Sequence, residues 1–228
     1  MDIEHLEQII KVVFTNKDII TEALTHKSFI NESPHAKHNE RLEFLGDAVL
    51  ELVITRYLYL TYSMRPEGDL TSFRAALVRT ESLSTSASLI NLGSYMRMSK
   101  GEEATGGRTR TYILANAFEA LLGAIYLDQG IEVVTDFINR HITIKIEEIV
   151  KNRLDIDAKS KLQEFVQERM KHTPQYKTIK EDGPDHDKNF TVIVVIGDKS
   201  FQTGEGKTKQ AAEQNAALAT LDLLKSTL

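Results

Sequence analysis

The feature that most constrains this chain is a change of period. Up to about residue 150 the apolar residues recur at helical spacing, whereas from residue 158 the pattern becomes helix, three short strands, helix. One layout cannot serve both, so the chain divides into an all-helical domain at 1–150, a short polar linker at 151–157 and a small α+β domain at 158–228 ordered α-β-β-β-α. Its 228 residues, 41% of them hydrophobic, suffice for one substantial core and a second small one.

Helices are expected over residues 2–14 and 18–24, with Leu6, Ile9, Ile10 and Val13 as an apolar stripe, over 70–92, and over 131–150. Beyond the linker, Ala158 to Met170 reads as helix, followed by strands at Tyr176–Lys180, Phe190–Ile196 and Phe201–Thr203. The second and third are joined by a Gly197-Asp198 hairpin turn. An Ala-rich helix over Lys209 to Leu224 closes the chain.

Within the helical domain, Asn39 to Glu51 (NERLEFLGDAVLE) stands out, with Asn39 as its expected N-cap. At about 100° per residue, Glu40, Glu43 and Asp47 share roughly 60° of arc, and Leu42, Leu45, Val49 and Leu52 lie opposite. Like charges at that spacing repel, and a divalent cation would compensate them. A second such face lies in Ala115 to Asp128 (ANAFEALLGAIYLD). There Asn116 and Glu119 are one turn apart, beside small residues Ala120, Gly123 and Ala124 that let another helix approach. Oxygen donors with no cysteine or histidine among them suit a hard ion, Mg²⁺ or Mn²⁺. Taken singly, either segment reads better as a solvated acidic face than as a metal site. Phe44 sits about 40° from Glu40, on the acidic side, where it is either a core residue under a neighbouring helix or a contact with a second copy.

The net charge of −5 is lodged in the first part: residues 158–228 hold 11 Lys and Arg against 10 Asp and Glu, leaving 17 against 23 in residues 1–157. Any phosphate binding must therefore come from where the cations are placed. The absence of cysteine excludes disulfides and thiolate metal sites, and no apolar run is long enough to span a membrane. A soluble, cytoplasmic protein with no membrane partner is expected.

NERLEFLGDAVL and ANAFEALLGAIYLD together resemble the ribonuclease III family, and residues 158–228 resemble its double-stranded RNA-binding domain. That resemblance implies a homodimeric, Mg²⁺-dependent endoribonuclease (Mn²⁺ substituting) that cuts double-stranded RNA to 5′-phosphate and 3′-hydroxyl ends in ribosomal and other RNA processing. It implies Glu43, Asp47, Asn116 and Glu119 as metal ligands, Asp47 and Glu119 as the principal catalytic residues, Glu40 as a supporting acid and Phe44 as the dimer contact. Glu67, in the Glu67-Gly68-Asp69-Leu70 helix start, is secondary. For Arg108, after the Gly106-Gly107 pair, it leaves substrate contact and a plain flexible loop as equal alternatives. Thr25-His26-Lys27-Ser28 matches a small family motif, and His26 there is read as a hydrogen-bonded brace for its loop.

In the second domain the resemblance places Ser160, Gln163 and Glu164 at one minor groove, His186 in the Gly183-Pro184-Asp185-His186 loop at another, and Lys207 and Lys209 on phosphates at a helix N-terminus. One position departs from the pattern: Asn116 stands where the family typically has aspartate, keeping a ligand oxygen but giving up a charge. The alternative reading is accordingly a weakened or inactive protein that clamps duplex RNA without cutting it.

Overall fold

The computed structural model describes residues 2–151, 158–184 and 188–227. The chain forms two compact units, Met1–Asp155 and Ile156–Leu228. Of the expected linker, residues 152–157 lie outside the described residues, and Lys151 is the last residue of a helix.

The first unit is helical: α1 (Ile3–Ile10), α2 (Lys17–Ala23), α3 (Glu40–Thr61), α4 (Glu67–Val78), α5 (Thr80–Leu89), α6 (Leu92–Tyr95), α7 (Lys100–Ala104), α8 (Thr111–His141) and α9 (Ile146–Lys151). Helix α1 is shorter than the periodicity suggests. It stops at Ile10 because Lys11 turns left-handed (φ 55°), which throws Val13 out of helical phase to 71% exposure while Leu6 and Ile10 are fully buried. The single helix expected over 70–92 is two, α4 and α5, broken at Arg79 (φ −60°, ψ 151°). No glycine or proline marks that break; the turn lays the small buried face of α5, Ser82, Ser86 and Ala87, against α8. The expected boundary at 131 is a kink inside α8, where Gly130 adopts φ 85°, ψ −179°, a conformation open to glycine alone.

Helices α3 and α8 run through the middle of this core, with Leu50, Ile54, Phe118, Leu121, Leu122 and Ile125 fully out of solvent. Each such side chain contributes roughly 1.5–3 kcal/mol by its burial. The buried side of α3 is Leu42, Gly46, Val49, Leu50, Val53 and Ile54. Leu52, expected among them, is 62% exposed. Asn39 holds the N-cap position but is buried and makes no side-chain cap; its N–H donates to the Thr25 carbonyl instead.

The second unit comprises α10 (Ala158–Met170), an antiparallel sheet of β1 (Gln175–Asp182), β2 (Asn189–Ile196) and β3 (Lys199–Gly206) in the order β1-β2-β3, and α11 (Lys209–Thr227). Leu162 and Val166 from α10, Val192, Val194 and Ile196 from β2, and Ala212, Ala216 and Leu221 from α11 form its core. The hairpin turn falls at Gly197-Asp198, as expected, between the paired Ile196 and Lys199. Strand β3 extends well past Thr203 because its glycines are spacing devices: a Cβ on Gly204 would lie 2.1 Å from the backbone nitrogen of Ala216 in α11.

Among the described residues no helix is long and apolar enough to cross a membrane.

Candidate active site and nucleic-acid interface

The site is made by a backbone crossing. At its centre a Cβ on Gly46 would fall 1.7 Å from the Glu119 carbonyl oxygen, and one on Gly123 would fall 2.3 Å from that of Leu42. Only glycine at both positions lets α3 and α8 touch main chain to main chain. Glu43 and Asp47 flank Gly46 by three residues and one, and Asn116 and Glu119 lie on the α8 turns facing them. The small residues expected to permit an approach on α8 do so; Gly46 as their counterpart on α3 was visible in the sequence only as one glycine inside a strong helix.

The electrostatics confirm which groups the crossing gathers. Burial, then the negative charges of Asp47 and Glu43, push the Glu119 carboxyl up to about 7. Glu43 is also raised, by burial first and then by Glu40 and Asp47, against a hydrogen bond donated by the Asn116 amide that pulls it back. Three carboxylates and one amide therefore stand together with no cation of their own, Glu43, Asn116 and Glu119 half-buried and Asp47 exposed beside them. Glu40, one turn up α3, is held below the usual carboxylate range by the Lys27 ammonium, which donates to it at 2.8 Å. Among the described residues no three His, Cys, Asp or Glu side chains converge closely enough to chelate an ion unaided. The donor set is all oxygen, electron-rich and partly withdrawn from water, which is the chemistry that suits a hard divalent cation.

A cleft of about 540 Å³ opens beside this crossing, lined by Lys27, Asn31, Glu40, Glu43, Tyr112 and Asn116 among others. Its wall is a short 3₁₀ turn, Lys27–Asn31, whose cap is His26. The His26 Nδ1 sits 2.9 Å from the Ser28 hydroxyl, and that hydroxyl accepts from the Ser99 N–H at 3.0 Å. Burial lowers the His26 pKa. The histidine is a brace, as its half-buried setting requires.

The remaining positions fall as follows. Phe44 is 82% exposed, so within its own chain it is not a core residue. Glu67 lies in the first turn of α4 with Asp69, where the helix dipole favours acids, and accepts from the Thr71 hydroxyl. Arg108 is committed to its own loop: Nε pairs with Glu103 at 2.7 Å, and Nη1 donates to the carbonyls of Gly93 and Met96. Arg110 likewise pairs with Glu102 and donates to Thr105. The Gly-Gly-Arg sequence signals a loop whose arginines satisfy carbonyls rather than one laid open to phosphate.

In the second unit Ser160, Gln163 and Glu164 are exposed along α10, opposite the buried Leu162 and Val166. Lys207 precedes α11 and is exposed; Lys209 opens that helix, paired with Glu181 at 2.7 Å, its ammonium 5.4 Å from the Phe190 ring centroid. His186 lies outside the described residues.

Comparison with known proteins finds relatives of both units. Residues 16–146 match the Ribonuclease-III-like family and residues 158–224 the double-stranded RNA binding motif. The chain is 46% identical to Ribonuclease 3 of Oceanobacillus iheyensis, covering 99% of this chain and 100% of that protein. It is 47% identical to Ribonuclease 3 of Clostridium beijerinckii, covering 98% and 96%. The crystallised nuclease domain of ribonuclease III from Campylobacter jejuni, described as flexible in a region involved in dimer formation, superimposes with a TM-score of 0.58. It is 45% identical and covers 61% of this chain and 95% of that one.

Proposed function

The chain belongs to the ribonuclease III family, and from that premise we propose how its residues divide the work. It is a divalent-metal-dependent endoribonuclease acting on double-stranded RNA. We assign Glu43, Asp47, Asn116 and Glu119 as the metal ligands, with Mg²⁺ as the working ion, Mn²⁺ as its substitute, and ribosomal precursor RNA in the cytoplasm as the setting. The observation that carries this assignment is the α3–α8 crossing, which sets Glu43 and Asp47 against Glu119 closely enough to raise its pKa.

A divalent ion held by Glu43, Asp47, Asn116 and Glu119 would supply positive charge to polarise the scissile phosphate and to lower the pKa of a water. The protein's part is placement. Asp47 and Glu119 hold the reacting groups in line, so that the oxygen of water bonds to phosphorus as the bond to the 3′ oxygen breaks. The attacking water gives up a proton to solvent and the leaving oxygen takes one from solvent, giving 3′-hydroxyl and 5′-phosphate ends. Glu40, restrained by Lys27, supports Glu43 from one turn away.

Ser160, Gln163 and Glu164 meet 2′-hydroxyls in the minor groove, His186 a second groove, and Lys207 and Lys209 the phosphates between, so this surface reads shape rather than base sequence. Phe44 and Leu52, both exposed on α3, support pairing with a second copy, which provides two sites for the two strands.

The test is incubation of the full chain with end-labelled, perfectly paired RNA in Mg²⁺ or EDTA, scoring cleavage and gel shift together. Metal-dependent cuts are expected. Asp47→Asn or Glu119→Gln should reduce them on the order of a thousandfold, from several kcal/mol of lost transition-state stabilisation, with the shift retained. A shift without cutting, in high Mg²⁺ or Mn²⁺ alike, overturns the assignment.

A further inference from the structure

The cleft beside the crossing poses an electrostatic problem that the metal site leaves open. Its lining includes Glu40 and Glu43, yet on the duplex-RNA nuclease reading a strand carrying a negative charge at every nucleotide comes to this site. Among the described residues lining it, Lys27 is the one Lys or Arg. That lysine sits on a fixed base. The His26 N–H donates to the Arg97 carbonyl at 2.8 Å, Thr25 bridges to Arg97, the Arg97 guanidinium lies 4.2 Å from the centroid of Phe29, and Ser28 is tied to Ser99. The ammonium itself is loosely held: its pair with Glu40 is 63% and 48% exposed on the two sides. An ion pair so exposed is weak and exchanges readily for a better anion. At about 540 Å³ the cleft falls within the roughly 300–1,000 Å³ of small-ligand sites, room for a nucleotide-sized length of backbone.

We propose that Lys27 is a substrate-positioning residue that leaves Glu40 to take a non-scissile phosphate of the RNA strand lying in this cleft. The inference rests on the duplex-RNA nuclease reading and adds to it a phosphate contact from the nuclease unit itself. Exchange of this kind has two consequences. One phosphate is neutralised close to an acidic site, and Glu40 loses its ion pair only when substrate is present.

The test is equilibrium binding of the full chain to perfectly paired RNA in EDTA over a series of KCl concentrations. Losing one phosphate contact should reduce the slope of log K against log salt by about 0.7–0.9. Lys27→Gln is expected to show that reduction with several-fold weaker binding, and Lys27→Arg to restore both. Glu40→Gln, which frees the ammonium in advance, should tighten binding, and the gain should vanish when Lys27→Gln is added. In Mg²⁺ the Lys27→Gln loss should lie in KM with kcat little changed. If Lys27→Gln lowers the melting temperature but leaves the salt slope and KM at wild-type values, Lys27 only clips Glu40 to its loop and the proposal fails. Failure of the nuclease reading is separate: it would show as wild-type protein that binds the same RNA and does not cut it in Mg²⁺ or Mn²⁺.

Discussion

The two units solve the problem of presenting function in opposite ways. The nuclease unit builds its proposed site from the inside: Glu43, Asp47, Asn116 and Glu119 are brought together because two helices touch backbone to backbone at Gly46 and Gly123. The RNA-binding unit lays its proposed surface on the outside, with Ser160, Gln163 and Glu164 exposed along one face of α10 and Lys207 and Lys209 near the start of α11. Chemistry in the first depends on core packing, and recognition in the second depends on spacing along elements that would pack the same way without it. Damage to the core should therefore abolish one activity outright, whereas damage to the surface should grade the other.

The largest effect is expected from Gly46→Ala. Its methyl would lie 1.7 Å from a main-chain oxygen that cannot turn aside, so α3 and α8 must separate. Overpacking of this severity should exceed about 3 kcal/mol and disperse the carboxylates with it. Circular-dichroism melting should show a strongly destabilised nuclease unit, cleavage should vanish, and a gel shift with duplex RNA should persist. Gln163→Ala is the counterpart on the surface: stability within about 0.5 kcal/mol of wild type, with the shift weakened. A stable, active Gly46→Ala protein would remove the distinction between the units.

What the sequence made legible follows the same division. The acidic seam could be read because Glu40, Glu43 and Asp47 recur at helical spacing, and the α10 surface because Leu162 and Val166 alternate with polar neighbours. Spacing assigns residues to a face; it does not say what that face meets. Leu52 was therefore expected in the core and lies in solvent, and nothing in the spacing around Arg108 signalled that its guanidinium serves the carbonyls of Gly93 and Met96. Glycines misled in both directions. Gly204 looked like the end of a strand because its role, admitting α11, belongs to tertiary packing. The break at Arg79 had no local signal at all, since α8 rather than the residues around Arg79 dictates where α5 must lie.

Next in size is the charge balance within the crossing. Asn116 donates to Glu43 where an aspartate would add another negative charge beside Glu43, Asp47 and Glu119. Asn116→Asp should therefore destabilise the protein in EDTA by roughly 1–3 kcal/mol, and Mg²⁺ should recover more stability in the variant than in wild type. Calorimetric melting with and without Mg²⁺ measures both. Equal melting temperatures in EDTA would mean that the Asn116 amide relieves nothing. The Glu119 carboxyl, raised from 4.5 to about 7, gives a pH signature from the same crowding. Between those values the native state holds a proton that the unfolded chain has released, so stability without metal should fall as the pH rises through that window. Glu119→Gln should flatten the dependence, and chemical denaturation in EDTA at several pH values would detect it. A slope unchanged in Glu119→Gln would assign the titration to another group.

The smallest effects belong to the lysines of the second unit, and they test whether its surface is as simple as its spacing. Lys207→Gln should reduce the salt slope of duplex binding by about 0.7–0.9, the mark of a phosphate contact. Lys209 pairs with Glu181 at 2.7 Å and lies over the Phe190 ring. To reach phosphate it must give up Glu181, so Glu181→Gln should tighten duplex binding slightly, and the gain should vanish when Lys209→Gln is added. Unchanged affinity in Glu181→Gln would mean that the Glu181 pair holds nothing back from RNA, and that this position can be read from its spacing alone. A gain would mean that even here an internal partner decides how much of a charge reaches the ligand, the relation proposed for Glu40 and Lys27 in the other unit.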